Sequence, residues 1–485
     1  MILKSLKNVQ LPRIEPPVKG FYKDNRKRFL DIIKSAEKID NKGLLFLKGP
    51  IEQPIYDDDM EFIPVPENLF LYLFGVAEPD TYGILDFQTG NALLFVRLAD
   101  PTKSFWMKTK SLEEFRTEFE VDDAQKIEDL EDYLNKNVDK ENQTIYIYKG
   151  INRYSGLESL NPYEEFKKLL ANFNVNQSDI YQYACEARVR KSDEEIKLLS
   201  QAAEIGCIAH RSAMKTITPG MTEQQISNHF SAVTRYFANS TIPYENIVGA
   251  GRNASFLHYS PSSLEKVQDG QMVLIDAGAR IFGYCSDITR SYPVNGKFTK
   301  KQAAVYNIVL KAQKEVFDNV KPGVSWQQMH IIAEKTILAG LKELGLIKGE
   351  LDDMWNKRLS YYFFPHGLGH YLGLYVHDLP GLDEKENDWI PYEKMSLRVK
   401  RKLEKGMVLT NEPGIYFNDI LLNEGYKDAK VAPFFDKELI SEYQKEVSGI
   451  RIEDDFIVTE DGYKILSSLA PKTVEEIEKF MADKE

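Results

Sequence analysis

Cysteine is scarce in this 485-residue chain: there are only Cys185, Cys207 and Cys285. Three thiols cannot build a disulfide framework or a Cys-rich zinc site, so all three are expected to be reduced. Long hydrophobic runs are also missing. No apolar stretch approaches the roughly 18–20 residues that a membrane-spanning helix needs. The opening stretch, Met1 to Gln10, mixes apolar and basic residues without an apolar signal core, so the expectation is a soluble, cytoplasmic protein. Positive charge is in deficit, with 62 Lys and Arg against 74 Asp and Glu and a formal net charge of −12. That balance excludes broad binding to a phosphate backbone, which needs clustered cations, and no nucleic-acid partner is expected. Several catalytic signatures are absent too. There is no Gly-x-x-x-x-Gly-Lys-Ser/Thr phosphate loop, no His-Glu-x-x-His zinc helix and no Gly-x-Ser-x-Gly nucleophile elbow. Gly249-Ala-Gly-Arg-Asn-Ala254 opens like a dinucleotide fingerprint, but Ala254 stands where the third glycine belongs. It reads as an ordinary loop. The sequon Asn142-Gln143-Thr144 has no secretory context.

What is present is enough apolar residue, 43% of the chain, for two or three domains. The first third alternates short β-like runs with turns: Leu44–Leu47, Leu69–Phe74, Tyr82–Phe87, Ala92–Val96 and Thr144–Tyr148. Helical pattern covers Leu112–Asn135 and Pro162–Asn172. From Lys191 the pattern changes to long capped helices. Ser192-x-x-Glu195, Thr222-x-x-Gln225, Thr299-x-x-Gln302 and Ser325-x-x-Gln328 each open an apolar-periodic run as a capping box. The expected architecture is an α/β (α+β) chain, with one domain over 1–184 and a second over 185–485.

The second part contains an internal echo. Thr218-Pro-Gly-Met-Thr-Glu-Gln-Gln-Ile226 resembles Lys321-Pro-Gly-Val-Ser-Trp-Gln-Gln-Met329. Downstream, Gly270-Gln-Met-Val-Leu-Ile-Asp-Ala-Gly278 resembles Gly406-Met-Val-Leu-Thr-Asn-Glu-Pro-Gly414 with a one-residue slip. Common helix-start and strand-start chemistry could produce either match. Two matches in the same order favour two related α/β halves.

The second match puts a carboxylate at the end of an apolar strand in each half: Asp276 and Glu412. Asp287, expected on the return strand of a hairpin turning near Ala279–Gly283, and Glu453 are their companions. Residues two apart on a strand share a face, so Arg451 and Glu453 project together. Any one of these acids could be a solvated turn acid or a salt-bridge partner. Four at apolar strand ends are costly to bury unless cations neutralise them. The chain has seven histidines, and three lie in Phe364-Pro-His-Gly-Leu-Gly-His-Tyr-Leu-Gly-Leu-Tyr-Val-His377. His366, His370 and His377 are interleaved there with Gly367, Gly369 and Gly373, which disfavour a regular helix and let backbone approach closely. One His among several carboxylates is a hard donor set suited to Mn²⁺, Co²⁺ or Zn²⁺. Two ions about 3.5–4 Å apart would use all four acids.

Taken together, Asp276 with Asp287, His366-Gly-Leu-Gly-His370, Asn411-Glu-Pro-Gly414 and Arg451-Ile-Glu453 resemble the five-ligand signature of the pita-bread metallopeptidases. That family contains methionine aminopeptidase, aminopeptidase P and prolidase. The finer resemblance is to prolidases of eukaryotic type, and it covers nearly the whole chain. It is carried by Phe74–Asp86, Asn253-Ala-Ser-Phe-Leu-His-Tyr259, Pro365–His370 and Met407–Tyr416. Arg398 precedes Gly406 at the spacing where prolidases keep a substrate-binding arginine. Arg280-Ile-Phe and Arg290 depart from animal-type sequences, and Met1–Gly43 matches poorly.

The resemblance implies a creatinase-like α/β N-terminal domain and a pita-bread catalytic domain with pseudo-twofold related halves. It also implies two divalent ions, by family default Mn²⁺, and a homodimer. Asp276 would bind one ion, His370 the other, and Asp287 and Glu453 would bridge them. Glu412 would be both ligand and general base, with a metal-bridged hydroxide as nucleophile. His258 and His377 would orient substrate and stabilise the tetrahedral intermediate. Tyr244, His366 and Arg451 would line or hold the pocket, and Arg398 would grip the substrate's carboxylate. The substrate implied is an Xaa-Pro dipeptide, whose proline amide lacks the N–H that ordinary peptidases grip. Two alternatives stand beside this: an aminopeptidase P acting on longer peptides, and a non-catalytic pita-bread binding protein.

Overall fold

The computed structural model describes residues 12–483 except 59, 63–64, 99–101, 103–104, 107, 153–154, 238, 261–263 and 382–396. The expectation made for Met1 to Gln10 falls outside the described residues. The chain separates into two compact units, Pro17–Arg188 and Val189–Glu485, with the initial Met1–Pro16 grouped with the second. The division falls four residues beyond the junction expected at 184/185, because the helix Ile180–Val189 runs through that junction. The described residues 12–16 sit with the second unit through side-chain contacts. Glu15 donates its N–H to Gln201 Oε1 at 2.7 Å and pairs with Lys197.

The first unit is built on a six-stranded mixed sheet of β1 (Leu44–Lys48), β2 (Thr81–Asp86), β3 (Ala92–Val96), β4 (Asp123–Lys126), β5 (Thr144–Ile147) and β6 (Asn174–Asn176), in the order β4-β3-β2-β1-β5-β6. β1 and β3 are nearly continuous apolar runs, as strands covered on both faces must be. Two expectations fail here. Leu69–Phe74 is not a strand but the helix Asn68–Phe74. Glu67 caps it by accepting from the Phe70 N–H, and Gly75 N–H closes it on Leu71 O. Every residue of that helix is buried, so it carries no amphipathic period and reads as an apolar run. Leu112–Asn135 is not one helix either. Glu120 takes φ 50°, which ends the helix Leu112–Glu118, and β4 follows before the helix Leu130–Asn137.

In the second unit the strands are β7 (Ser240–Thr241), β8 (Ile247–Ala250), β9 (Met272–Ala277), β10 (Arg280–Ile281), β11 (Tyr284–Cys285), β12 (Ile288–Pro293), β13 (Val408–Asn411), β14 (Gly414–Tyr416), β15 (Gly449–Arg451), β16 (Asp454–Val458) and β17 (Tyr463–Ile465). The internal echo becomes architecture. In each half a long helix (Asp193–Thr216 or Lys300–Phe317) is followed by a Pro-Gly turn and a second helix (Glu223–Arg235 or Trp326–Glu343). Each half then delivers an acid at the end of a strand, β9 or β13, that pairs antiparallel with β12 or β16. Ser192, Thr222 and Thr299 form the expected reciprocal capping boxes. Ser325 occupies its N-cap without a side-chain bond; its backbone bridges to Lys402 instead. One large apolar core lies under both halves and includes Phe230, Val273, Ile275, Val309, Trp326, Ile337, Leu409 and Phe456.

Candidate functional site

The ends of β9 and β12 bring the first two acids together. Asp276 lies on β9 directly across from Thr289, and Asp287 lies one residue before β12. The Tyr244 hydroxyl donates to Asp276 Oδ1 at 2.7 Å and also bonds Asp287 Oδ1. Asp287 is held from behind as well, because both oxygens of the buried Asp455 accept from its backbone N–H at 3.1 and 3.2 Å.

The second half supplies Glu412 and Glu453. Glu412 follows β13, donates its N–H to Leu368 O at 2.9 Å, and accepts from Thr410 Oγ1 at 3.1 Å. Glu453 bridges to Thr289 through the backbone, and the Thr289 hydroxyl donates to Glu453 Oε2 at 2.5 Å. Arg451 shares that face. Its Nη2 donates to Asp276 Oδ2 at 2.6 Å, its Nε to Thr289 Oγ1 at 3.1 Å and its Nη1 to the Tyr416 hydroxyl at 2.7 Å.

The Gly-rich histidine segment runs beside β13. Tyr371 bridges to Leu409, and Thr410 N–H donates to His370 O. Gly369 is required there, since a Cβ at this position would overlap the Thr410 carbonyl. His370 Nδ1 meets the Tyr371 carbonyl at 2.9 Å. A carbonyl only accepts, so the proton sits on Nδ1 and the Nε2 lone pair points the other way, the tautomer a metal ligand needs. That Nε2 lies 3.3 Å from Asp287 Oδ2 and 3.5 Å from Glu412 Oε1. Ligand atoms of Asp287, His370 and Glu453 all fall within 4.8 Å of one another.

The electrostatics follow from crowding like charges in a buried place. Burial and the neighbouring Asp287 push the Asp276 carboxyl up to about 6 despite Arg451, and burial pushes Glu412 to about 7. Burial and three neighbouring carboxylates raise Glu453 well above the ordinary range. Asp287 is lowered, because bonds and charge from His370 and Tyr244 outweigh its own burial. This donor set fits divalent cations. Hard oxygens and one imidazole lone pair converge, and bound cations would remove the repulsion that otherwise keeps some of the acids protonated.

The remaining expected residues divide into two groups. His377 lies with its ring centroid 4.4 Å from that of His370. Desolvation, His370 and Arg398 push it down to about 3. His258 is lowered by desolvation and by the charges of Arg451 and Arg398. Arg398 therefore acts on both imidazoles. His366 is engaged differently. Its Nδ1 meets Gly367 O and its Nε2 meets the Tyr416 hydroxyl, each at 2.9 Å, so any substrate contact is through the ring face or edge. Sequence reasoning passed over Thr289, Tyr416 and Asp455. Tyr416 closes the Met407–Tyr416 motif and could have been found there. Asp455 and Thr289 carry no pattern of their own.

Residues 197–460 match the model of metallopeptidase family M24, and residues 22–146 match that of the aminopeptidase P N-terminal domain. The human Xaa-Pro dipeptidase is 35% identical, covering 94% of this chain and 92% of the relative. A probable Xaa-Pro aminopeptidase of Botryotinia fuckeliana is 34% identical, covering 96% and 98%. Among solved structures, a Pseudomonas aeruginosa aminopeptidase superposes with a TM-score of 0.79 at 29% identity over 98% of this chain and 99% of its own. Aminopeptidase P from E. coli, solved with the inhibitor Pro-Leu, gives a TM-score of 0.78 at 28% identity over 97% and 99%. The fold is thus a creatinase-like N-terminal domain followed by a pita-bread catalytic domain.

Proposed function

The chain belongs to metallopeptidase family M24, and we propose that it is a two-metal Xaa-Pro dipeptidase that releases free proline. The observation that carries the dipeptide reading is Arg398, whose charge reaches both His258 and His377 beside the carboxylate cluster. A guanidinium in that place can fix the free carboxylate of a proline through two charge-assisted hydrogen bonds, which leaves no room for a further residue.

Asp276, Asp287, His370, Glu412 and Glu453 would hold the two ions. Mn²⁺ is proposed; Co²⁺ and Zn²⁺ suit the same donors. When bound, such ions supply Lewis acidity and a water acidified towards neutral pH. The chain's own residues do the rest. Glu412 takes the proton of the attacking water and returns it to the leaving proline nitrogen. His258 and His377 face the carbonyl oxygen as charge develops on it. Arg451 and Tyr244 hold Asp276 and Asp287 in place. Manganese, a homodimer and a cytoplasmic setting complete the reading on the family resemblance alone.

The test is proline release from Gly-Pro against Gly-Pro-Xaa tripeptides, in metal-free buffer with Mn²⁺, Co²⁺ or Zn²⁺ added back. The expected result is metal-dependent cleavage of the dipeptide alone. Equal cleavage of both would make aminopeptidase P the better description. A purified protein that binds no metal and cleaves neither would be a non-catalytic binding module.

A further inference from the structure

The third glycine of the histidine segment, Gly373, has no part in the metal cluster. A Cβ there would overlap the carboxylate of Asp378 and press on the Lys191 side chain. Asp378 and Lys191 form an ion pair, Nζ to Oδ2 at 3.0 Å, with both side chains 1% exposed. Such a pair needs explanation, because taking two charges out of water costs as much as their attraction returns.

Its position supplies one. Asp378 follows His377 directly, and its N–H donates to Tyr371 O at 2.9 Å, closing the turn 371–378 on itself. The start of that turn is fixed to β13, since Leu372 N–H donates to Val408 O at 3.0 Å. Its middle is fixed to the hairpin that carries Asp287, since Cys285 N–H donates to Gly373 O at 2.9 Å. The far end, where His377 stands, is held by Lys191, whose own N–H donates to Gly406 O at 2.8 Å just ahead of β13. His370 and His377 therefore stand at the two ends of one closed turn, and the ion pair is what anchors the second end.

We propose that the buried Lys191–Asp378 pair is a positioning device that holds the His377 imidazole against His370 and over the reacting carbonyl. Gly373 is present because only a residue without Cβ lets the Asp378 carboxylate pass beneath the turn. The catalytic part of this proposal rests on the dipeptidase reading; the positioning part does not.

The decisive variant is the double substitution Lys191→Met with Asp378→Leu. It removes both charges and leaves apolar groups of similar size, whereas either change alone would strand a buried charge. Gly373→Ala is the second variant; it displaces Asp378 and leaves the pair chemically intact, so it decides the question if the double variant does not fold. Two readouts are taken. One is kcat and KM for Gly-Pro with metal content measured alongside. The other is the ¹³Cε1-histidine NMR signal of His377 in metal-free protein, with His210, buried elsewhere, as the internal control. The expected result is a fall in kcat of at least about tenfold with KM within about threefold of wild type. Metal content should be unchanged, and the His377 signal should shift while that of His210 does not. A merely structural pair would let kcat recover with the fold and leave the His377 signal in place, and either readout staying at its wild-type value overturns the proposal. If wild-type protein releases no proline, the dipeptidase reading has failed, and the NMR signal alone decides whether the pair positions His377.

Discussion

Thr289 stands directly across the β9–β12 ladder from Asp276, and its single hydroxyl joins the two halves of the site. It accepts from Arg451 Nε and donates to Glu453 Oε2, so a ligand from the second half is oriented by a strand of the first. Thr289→Val keeps the shape and removes that bond. Metal affinity should fall about 10–100-fold, as it does when a ligand's hydrogen-bond partner is lost. Competition with a fluorescent chelator measures it. Unchanged affinity would mean Glu453 is oriented by its backbone alone.

Asp287→Asn should abolish proline release while leaving the fold intact. Asp287 sits at the centre of the cluster, bonded to Tyr244 and 3.3 Å from His370 Nε2. Neutralising it removes the charge that two cations would share, while the apolar core beneath both halves does not depend on metal. Circular dichroism and turnover under limiting Mn²⁺ check both parts. Turnover within about twofold of wild type would contradict a bridging role.

Arg398→Ala should raise KM for dipeptides, with a loss on the order of 2–4 kcal/mol in kcat/KM. Amidating the proline carboxylate should cost the wild type a similar amount and the variant little. Equal sensitivity of both proteins to amidation would show that Arg398 is not the carboxylate anchor. The His258 and His377 pKa values should also rise in the variant, because Arg398 is one of the charges that depress them.

Metal should stabilise the protein more at high pH than at low. In the metal-free fold the Asp276 and Glu412 carboxyls are raised to about 6 and about 7, and His370 is raised as well. Groups whose folded pKa lies above the unfolded value stabilise below the unfolded pKa and lose that contribution as pH climbs through the folded one. Metal-free protein therefore loses this contribution between about pH 4 and 7, where protons also cease to compete for the ligands. The depressed histidines His210, His366 and His377 act oppositely, but they do so in both forms and cancel in the difference. Differential scanning fluorimetry should show the gap between loaded and metal-free Tm widening from pH 5 to pH 8. A constant gap would mean that these carboxylates are not the metal's ligands.

How far the site could be read beforehand depended on how each residue is specified. Asp276, Glu412, His370 and Glu453 were legible because each ends or flanks a strand with a local pattern, and the repeat of Gly270–Gly278 in Gly406–Gly414 marked two halves. The capped helices were legible for the same reason: a box of four residues is a local device, and Ser192, Thr222 and Thr299 use it as expected. Local pattern misled wherever tertiary burial replaced it. Asn68–Phe74 is apolar on every side because it is buried on every side, so its period vanished and a helix looked like a strand. Ser325 has the residues of a cap, yet the neighbouring chain at Lys402 engages its backbone instead.

By itself the sequence determined the chemistry on offer: four strand-end acids, one histidine freed by glycines, two matching halves, and a charge balance unsuited to nucleic acid. Only the tertiary structure decided which of these groups act together. Arg451 and Asp276 are 175 residues apart, Thr289 and Glu453 are 164 apart, and Lys191 and Asp378 are 187 apart. No local propensity links such pairs. They meet because burying the apolar faces of two half-domains against one core brings the ends of β9, β12, β13 and β16 to the same place. There a carboxylate without a neighbouring cation or donor would be too costly to keep ionised.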